Sequence, residues 1–101
     1  MYCRVRISAT SEKEANKISK TLVEKRLVAG TMIHDGNCHY RWDGKVVEKR
    51  YWNIGAFSTT KHKQAIIQEV RKLHSDKCPI IAFNEIDGNE EFLKWISESV
   101  L

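Results

Sequence analysis

Two long stretches of β-forming residues face each other across Asp43-Gly44, and no other feature of this 101-residue chain limits its fold so tightly. An Asp-Gly pair supplies the left-handed backbone that a two-residue hairpin turn needs at both central positions. Cys38 to Trp42 lead into the turn and Val46 to Phe57 leave it, both rich in branched and aromatic residues. A second pair, Asp35-Gly36, could also close a hairpin, so two separate hairpins are the alternative. The longer flanks favour Asp43-Gly44, with Asp35-Gly36 then a bulge or bend inside one long strand.

The pattern on either side of the hairpin sets the fold class. Cys3, Val5, Ile7 and Ala9 alternate with Tyr2, Arg4, Arg6 and Ser8, the period of a half-buried strand. Ser11 and Glu14 form a capping box ahead of Ala15, Ile18, Leu22 and Val23 at helical spacing, so a helix runs to about Lys25. Leu27 to Ile33 returns to a β pattern. Thr59 or Thr60 caps a second helix with Ile66, Ile67, Val70 and Leu73 along its stripe. Cys78-Pro79 breaks that pattern before a short strand at Ile80 to Phe83, and Asn89 caps a last helix carrying Phe92, Trp95, Ile96 and Ser99 on one face. The order β-α-β-β-α-β-α predicts one α+β domain over residues 1–101, a ferredoxin-like βαββαβ plait with an extra C-terminal helix. Helices on one face of such a sheet leave the other for solvent, a ligand or another subunit.

The strings along this plait resemble the CutA family, small proteins named for divalent-cation tolerance. Leu22 to Ala29 is similar to that family's helix-to-strand segment, and Tyr40-Arg41-Trp42-Asp43-Gly44-Lys45 resembles its Y-x-W-x-G-K hairpin. His74 with Pro79-Ile80-Ile81 resembles its His-Pro-Tyr and Pro-Glu-Ile region, and Gly88-Asn89 with Phe92 to Ile96 its closing motif. The resemblance covers nearly the whole chain. It implies a tight homotrimer and a role tied to copper or another divalent cation, with His74 as a metal ligand. The chain departs from the family at Gly30, where cysteine is usual, and at Ile7 and Leu73, which stand where the copper-tolerance form has a cysteine and a histidine. Phe57 replaces a lysine and Ile80 a glutamate. These departures imply weak or altered metal binding. A trimeric sensor comparable to the PII signalling proteins, taking a small ligand in clefts between subunits without metal, is the second reading.

Taken residue by residue, the chemistry is sparse. Copper and zinc prefer thiolate and imidazole donors gathered closely, and the only local group is His34, Cys38 and His39. On a continuous strand His34 and Cys38 share a face while His39 points to the other. His74 at a helix C-terminus also has a simpler role, favourable interaction with the helix dipole. Cys3 reads as core, and Cys78 beside His74 and Lys77 is the one thiol pairing worth testing as a nucleophile. No nucleophile elbow, P-loop or dinucleotide fingerprint occurs, so the expectation is no enzyme. The three cysteines are odd in number and far apart, which predicts reduced and mostly buried thiols.

Net charge bears on partners. Lysines and arginines exceed acids by only four, with signs interleaved as in Glu12-Lys13-Glu14, and Glu48 to Trp52 does not follow the RNA-recognition pattern, which argues against nucleic acid. Met1 to Arg6 alternates apolar and basic residues, and no apolar run could span a bilayer, so the expectation is a cytoplasmic chain without membrane partners. The hairpin's large side chains, Tyr40, Trp42, Lys45, Tyr51 and Trp52, are the expected subunit interface.

Overall fold

A computed structural model describes all residues 1–101. Strand β1 (Tyr2–Ala9) is followed by helix α1 (Glu12–Glu24), strands β2 (Gly30–Trp42) and β3 (Lys45–Thr59), and a 3-10 turn at Thr60–His62. Helix α2 (Lys63–Leu73), strand β4 (Ile81–Glu85) and helix α3 (Glu90–Ser99) complete the chain. The four strands form one antiparallel sheet in the order β2-β3-β1-β4. The ferredoxin-like plait with a C-terminal helix is therefore the fold, with the elements in the order read from the sequence.

The turn falls at Asp43-Gly44, both with positive φ, +52° and +74°. Asp35-Gly36 is not a bulge. The β2–β3 register runs without a break through Asp35 opposite Trp52 and Gly36 opposite Tyr51, and Gly36 needs no left-handed backbone. Glycine there adds room rather than a bend.

Alternation sorts the sheet into two faces. Cys3, Val5, Ile7 and Ala9 pack with Ile54 and Ala56 beneath Ala15, Ile18, Leu22, Ile66 and Val70 of the two long helices, all fully buried. Val23 lies off the stripe and stays 39% exposed. Ser11 caps α1 by accepting the Glu14 N–H at 3.1 Å. The Glu14 carboxylate does not return to Ser11; it accepts the Thr10 N–H at 2.8 Å and the Ser75 N–H at 2.9 Å, tying the segment after α2 to the end of β1.

Helix α3 covers part of the second face. Phe92 meets Phe57 edge to face with ring centroids 5.0 Å apart, and Trp95 lies over Gly30, the register partner of Phe57. A methyl group on Gly30 would stand 2.8 Å from the Trp95 ring. Gly30 is thus where the backbone must leave space for an indole.

β1 reaches along β3 only as far as Trp52, whereas β2 and β3 continue through seven further residue pairs, Gly36–Tyr51 to Trp42–Lys45. At about 3.3 Å per residue this ribbon extends about 23 Å past its neighbour. It makes the subunit 44 Å long and only 24 by 21 Å across.

Candidate functional site

That ribbon, along β2 as far as Trp42, and the segment Ser75–Ile80 border a cleft of about 1110 Å³. Its walls are joined by a chain of hydroxyls. Tyr51 donates from its hydroxyl to Asp76 Oδ2 at 3.0 Å, and the Tyr40 hydroxyl lies 3.3 Å from that of Tyr51, the two rings tilted with centroids 5.9 Å apart. Burial, then these bonds to Tyr40 and Asp76, push the Tyr51 phenol well above its usual range, so it stays protonated and holds the segment in place. Arg6 gives its Nε–H to Asn53 Oδ1 at 3.0 Å on the sheet face that Tyr51 shares. A smaller hollow of about 260 Å³ between Met1, Tyr2 and Thr59 to Lys61 brings together no acid–base or ligating pair.

His74 sits beside this cleft, at the C-cap of α2, with its side chain wholly buried. Its Nε2 lies 2.5 Å from the Ser8 carbonyl oxygen, and its Nδ1 lies 3.0 Å from the Asp76 main-chain N–H. A carbonyl only accepts and an amide N–H only donates, so Nε2 carries the proton, Nδ1 is bare, and the imidazole is neutral. The charge–dipole role expected from its position is therefore corrected: His74 acts as a neutral crosslink between β1 and the Ser75–Ile80 segment. To ligate a metal it must give up one of those two bonds.

The other candidate donors are dispersed. β2 is continuous, so His34 and Cys38 do share a face, and His39 turns away to Glu48 Oε2 at 3.4 Å. Cys3 is fully buried, and burial raises its thiol above the usual range, which leaves it a small apolar plug. Cys38 is half-buried and Cys78 exposed, so the expectation of mostly buried thiols holds only for Cys3. Within the subunit no three histidine, cysteine or acidic side chains gather as a metal would need. The residues of one chain do not fit a resident copper or zinc ion.

Of the expected interface residues, Trp42 is 52% exposed near the ribbon tip, and Lys45 is exposed beside it. Trp52 instead packs partly on the chain's own core, and Tyr40 and Tyr51 lean on each other. Strand alternation puts Tyr51 and Trp52 on opposite faces, so the pair presents no continuous stacking platform. The hydroxyl chain from Tyr40 to Asp76 and the Glu14 bonds to Ser75 were not visible in the sequence. Only the capping box signalled Glu14, and it pointed to the wrong amide.

Residues 3–99 match the family model described as CutA1 divalent ion tolerance protein. The divalent-cation tolerance protein CutA of Thermus thermophilus is 37% identical over 94% of this chain and 94% of its own length. That of Thermotoga maritima is 33% identical, covering 90% and 91%. The solved structure of the periplasmic divalent cation tolerance protein CutA from Archaeoglobus fulgidus superposes with a TM-score of 0.97 at 31% identity, covering 100% of both chains. These names describe tolerance rather than catalysis. The periplasmic description of the Archaeoglobus protein overturns the cytoplasmic expectation. The alternation of Met1 to Arg6 on which it rested belongs to β1 and says nothing of compartment. No helix is long and apolar enough to cross a membrane.

Proposed function

The chain belongs to the CutA1 family of divalent ion tolerance proteins, and on that premise we propose that it is a homotrimeric, non-catalytic binding module in divalent-cation tolerance, with weak or altered metal binding. The projecting β2–β3 ribbon carries this reading. A two-stranded ribbon is marginal in water on its own, and this one exposes Trp42 and Val46 at 52% and 65%. Packing against neighbouring subunits removes that apolar surface from water and supplies the missing third layer. Tyr40, Trp42, Lys45, Tyr51 and Trp52 are the proposed contacts, Trp42 and Lys45 directly and the other three by the surface left over from their internal packing.

Because the donors of one subunit are dispersed, copper or another divalent cation would be held where subunits meet, by donors from more than one chain. His74 contributes there only if its ring turns away from Ser8 or Asp76. Titration of the assembled protein with copper and with zinc tests this. Saturable but weak binding is expected, reduced in the His74→Ala variant if the ring takes part. No saturable binding of either ion, with His74→Ala without effect, removes metal from the account. The cleft between the ribbon and Ser75–Ile80 favours the second reading in that event, a sensor comparable to the PII proteins that takes a small ligand at subunit boundaries.

A further inference from the structure

The charges lining the cleft are unbalanced in a way the fold does not require. Arg6, Arg41, Lys49 and Lys77 all border it, and none of them makes an ion pair. Of the two acids on its walls, one is paired outside this set and the other offsets a single one of the four cations. Asp35 is paired with Arg50, and Asp76 accepts the Tyr51 hydroxyl. Arg6 is held by Asn53 through Nε alone, which leaves the outer edge of its guanidinium as a fixed pair of donors. Lys77 follows directly on Asp76, so the Tyr51 bond that fixes Asp76 also sets Lys77 at the rim.

An apolar shelf lies beside these cations. The register partner of Tyr51 is Gly36, and a side chain there would meet nothing within 4 Å. The sheet is therefore open beside the Tyr51 ring, which Tyr40 and the ammonium of Lys49, 5.2 Å from its centroid, hold in position. A hollow of about 1110 Å³ is far larger than an inorganic ion requires and slightly exceeds the roughly 300–1,000 Å³ usual for small organic ligands.

We propose that this cleft binds a small organic anion with a flat ring, its carboxylate or phosphate between Arg6 and Lys77 and its ring against Tyr51. This deepens the reading of the chain as a binding module and rests on it; Tyr51 is shared with the proposed subunit contacts, whereas Arg6 and Lys77 are not among them. Phenyl phosphate and benzoate serve as probes for the two anionic groups, with inorganic phosphate as the ringless control. Binding is followed by calorimetry on the purified protein, and its mass is measured by light scattering in the same buffer.

One or both ring-bearing probes are expected to bind saturably and more tightly than inorganic phosphate. Replacing a charge-assisted donor should weaken that binding about tenfold, both in Arg6→Gln and in Lys77→Gln. Arg6 and Lys77 are exposed, so both variants should keep the wild-type circular dichroism. Failure of both ring-bearing probes to saturate, inorganic phosphate binding as tightly as either, or both variants binding like wild type overturns the site. A mass other than a trimer's sinks the assembly reading, and the same titrations still decide the site.

Discussion

Gly30→Ala adds one methyl group, and the structure shows what it meets. The new carbon would lie 2.8 Å from Cη2 and 3.3 Å from Cζ2 of Trp95, and no other atom is nearer than that ring. Contact at ordinary distance requires the indole to move by several tenths of an ångström. Trp95 is 44% exposed and can tilt, but it stacks on Phe92 at 6.2 Å, and Phe92 in turn packs edge-on to Phe57. Overpacking of this kind costs about 1–3 kcal/mol. Replacing glycine with alanine at a permitted backbone angle returns about 0.4–1 kcal/mol by restricting the unfolded chain. The net expectation is destabilisation by about 1–2 kcal/mol, or roughly 4–16 °C in Tm for a domain of this size. In a Trp95→Ala background the clash is gone, and the same substitution should be neutral or stabilising by up to about 1 kcal/mol. Urea unfolding of the four proteins at one fixed concentration gives the coupling between positions 30 and 95 as about 2 kcal/mol. Equal effects of Gly30→Ala in both backgrounds would mean that the Trp95 ring is not what opposes the added methyl. Gly30→Cys, which restores the residue usual in the family, should behave no better, because the clash begins at Cβ.

The two Asp-Gly pairs should respond in opposite senses. Gly44→Ala forces a side chain to φ +74° and is expected to cost about 1–2 kcal/mol in urea unfolding, whereas Gly36→Ala, in open space, should be neutral or stabilising. Alkaline titration followed by tyrosine absorbance should show one of the three tyrosines ionising well after the others, and Tyr51→Phe should abolish that late step; simultaneous ionisation of all three contradicts the Tyr51–Asp76 latch. Glu14 is pushed up by burial but pulled further down by the N–H and hydroxyl donors of Thr10 and Ser75, so its carboxyl lies below the usual glutamate range. Its stabilising bonds are complete above the ordinary glutamate pKa and are lost as pH falls through the lowered one. Stability of the wild type should therefore decline across that acid window more steeply than that of Glu14→Gln, and parallel curves would remove Glu14 from the account.

Much of the fold was legible because it rests on local periodicity. The alternation of Cys3 to Ala9, the Ser11 cap and the two positive φ angles at Asp43-Gly44 are each dictated by neighbours in sequence. What escaped was tertiary. Gly36 carries the same dipeptide as Gly44, and only the register of the partner strand decides that one turns and the other does not. The contact that explains Gly30 comes from Trp95, and the state of the His74 ring is fixed by Ser8, on a different strand. The candidate site was legible only in part, since Tyr40 and Tyr51 stood out as large side chains, but their link to Asp76 depends on where the segment after α2 returns. Compartment was not legible at all, because a strand pattern at the N-terminus serves the sheet.

If the ribbon beyond Trp52 is an assembly device, light scattering reveals it in the mass of the particle. The wild-type protein is predicted to scatter as three copies of the 11.7 kDa chain, and Trp42→Ser combined with Val46→Ser should shift it toward smaller species. A wild-type monomer with a folded, stable ribbon would mean that the ribbon has no such role.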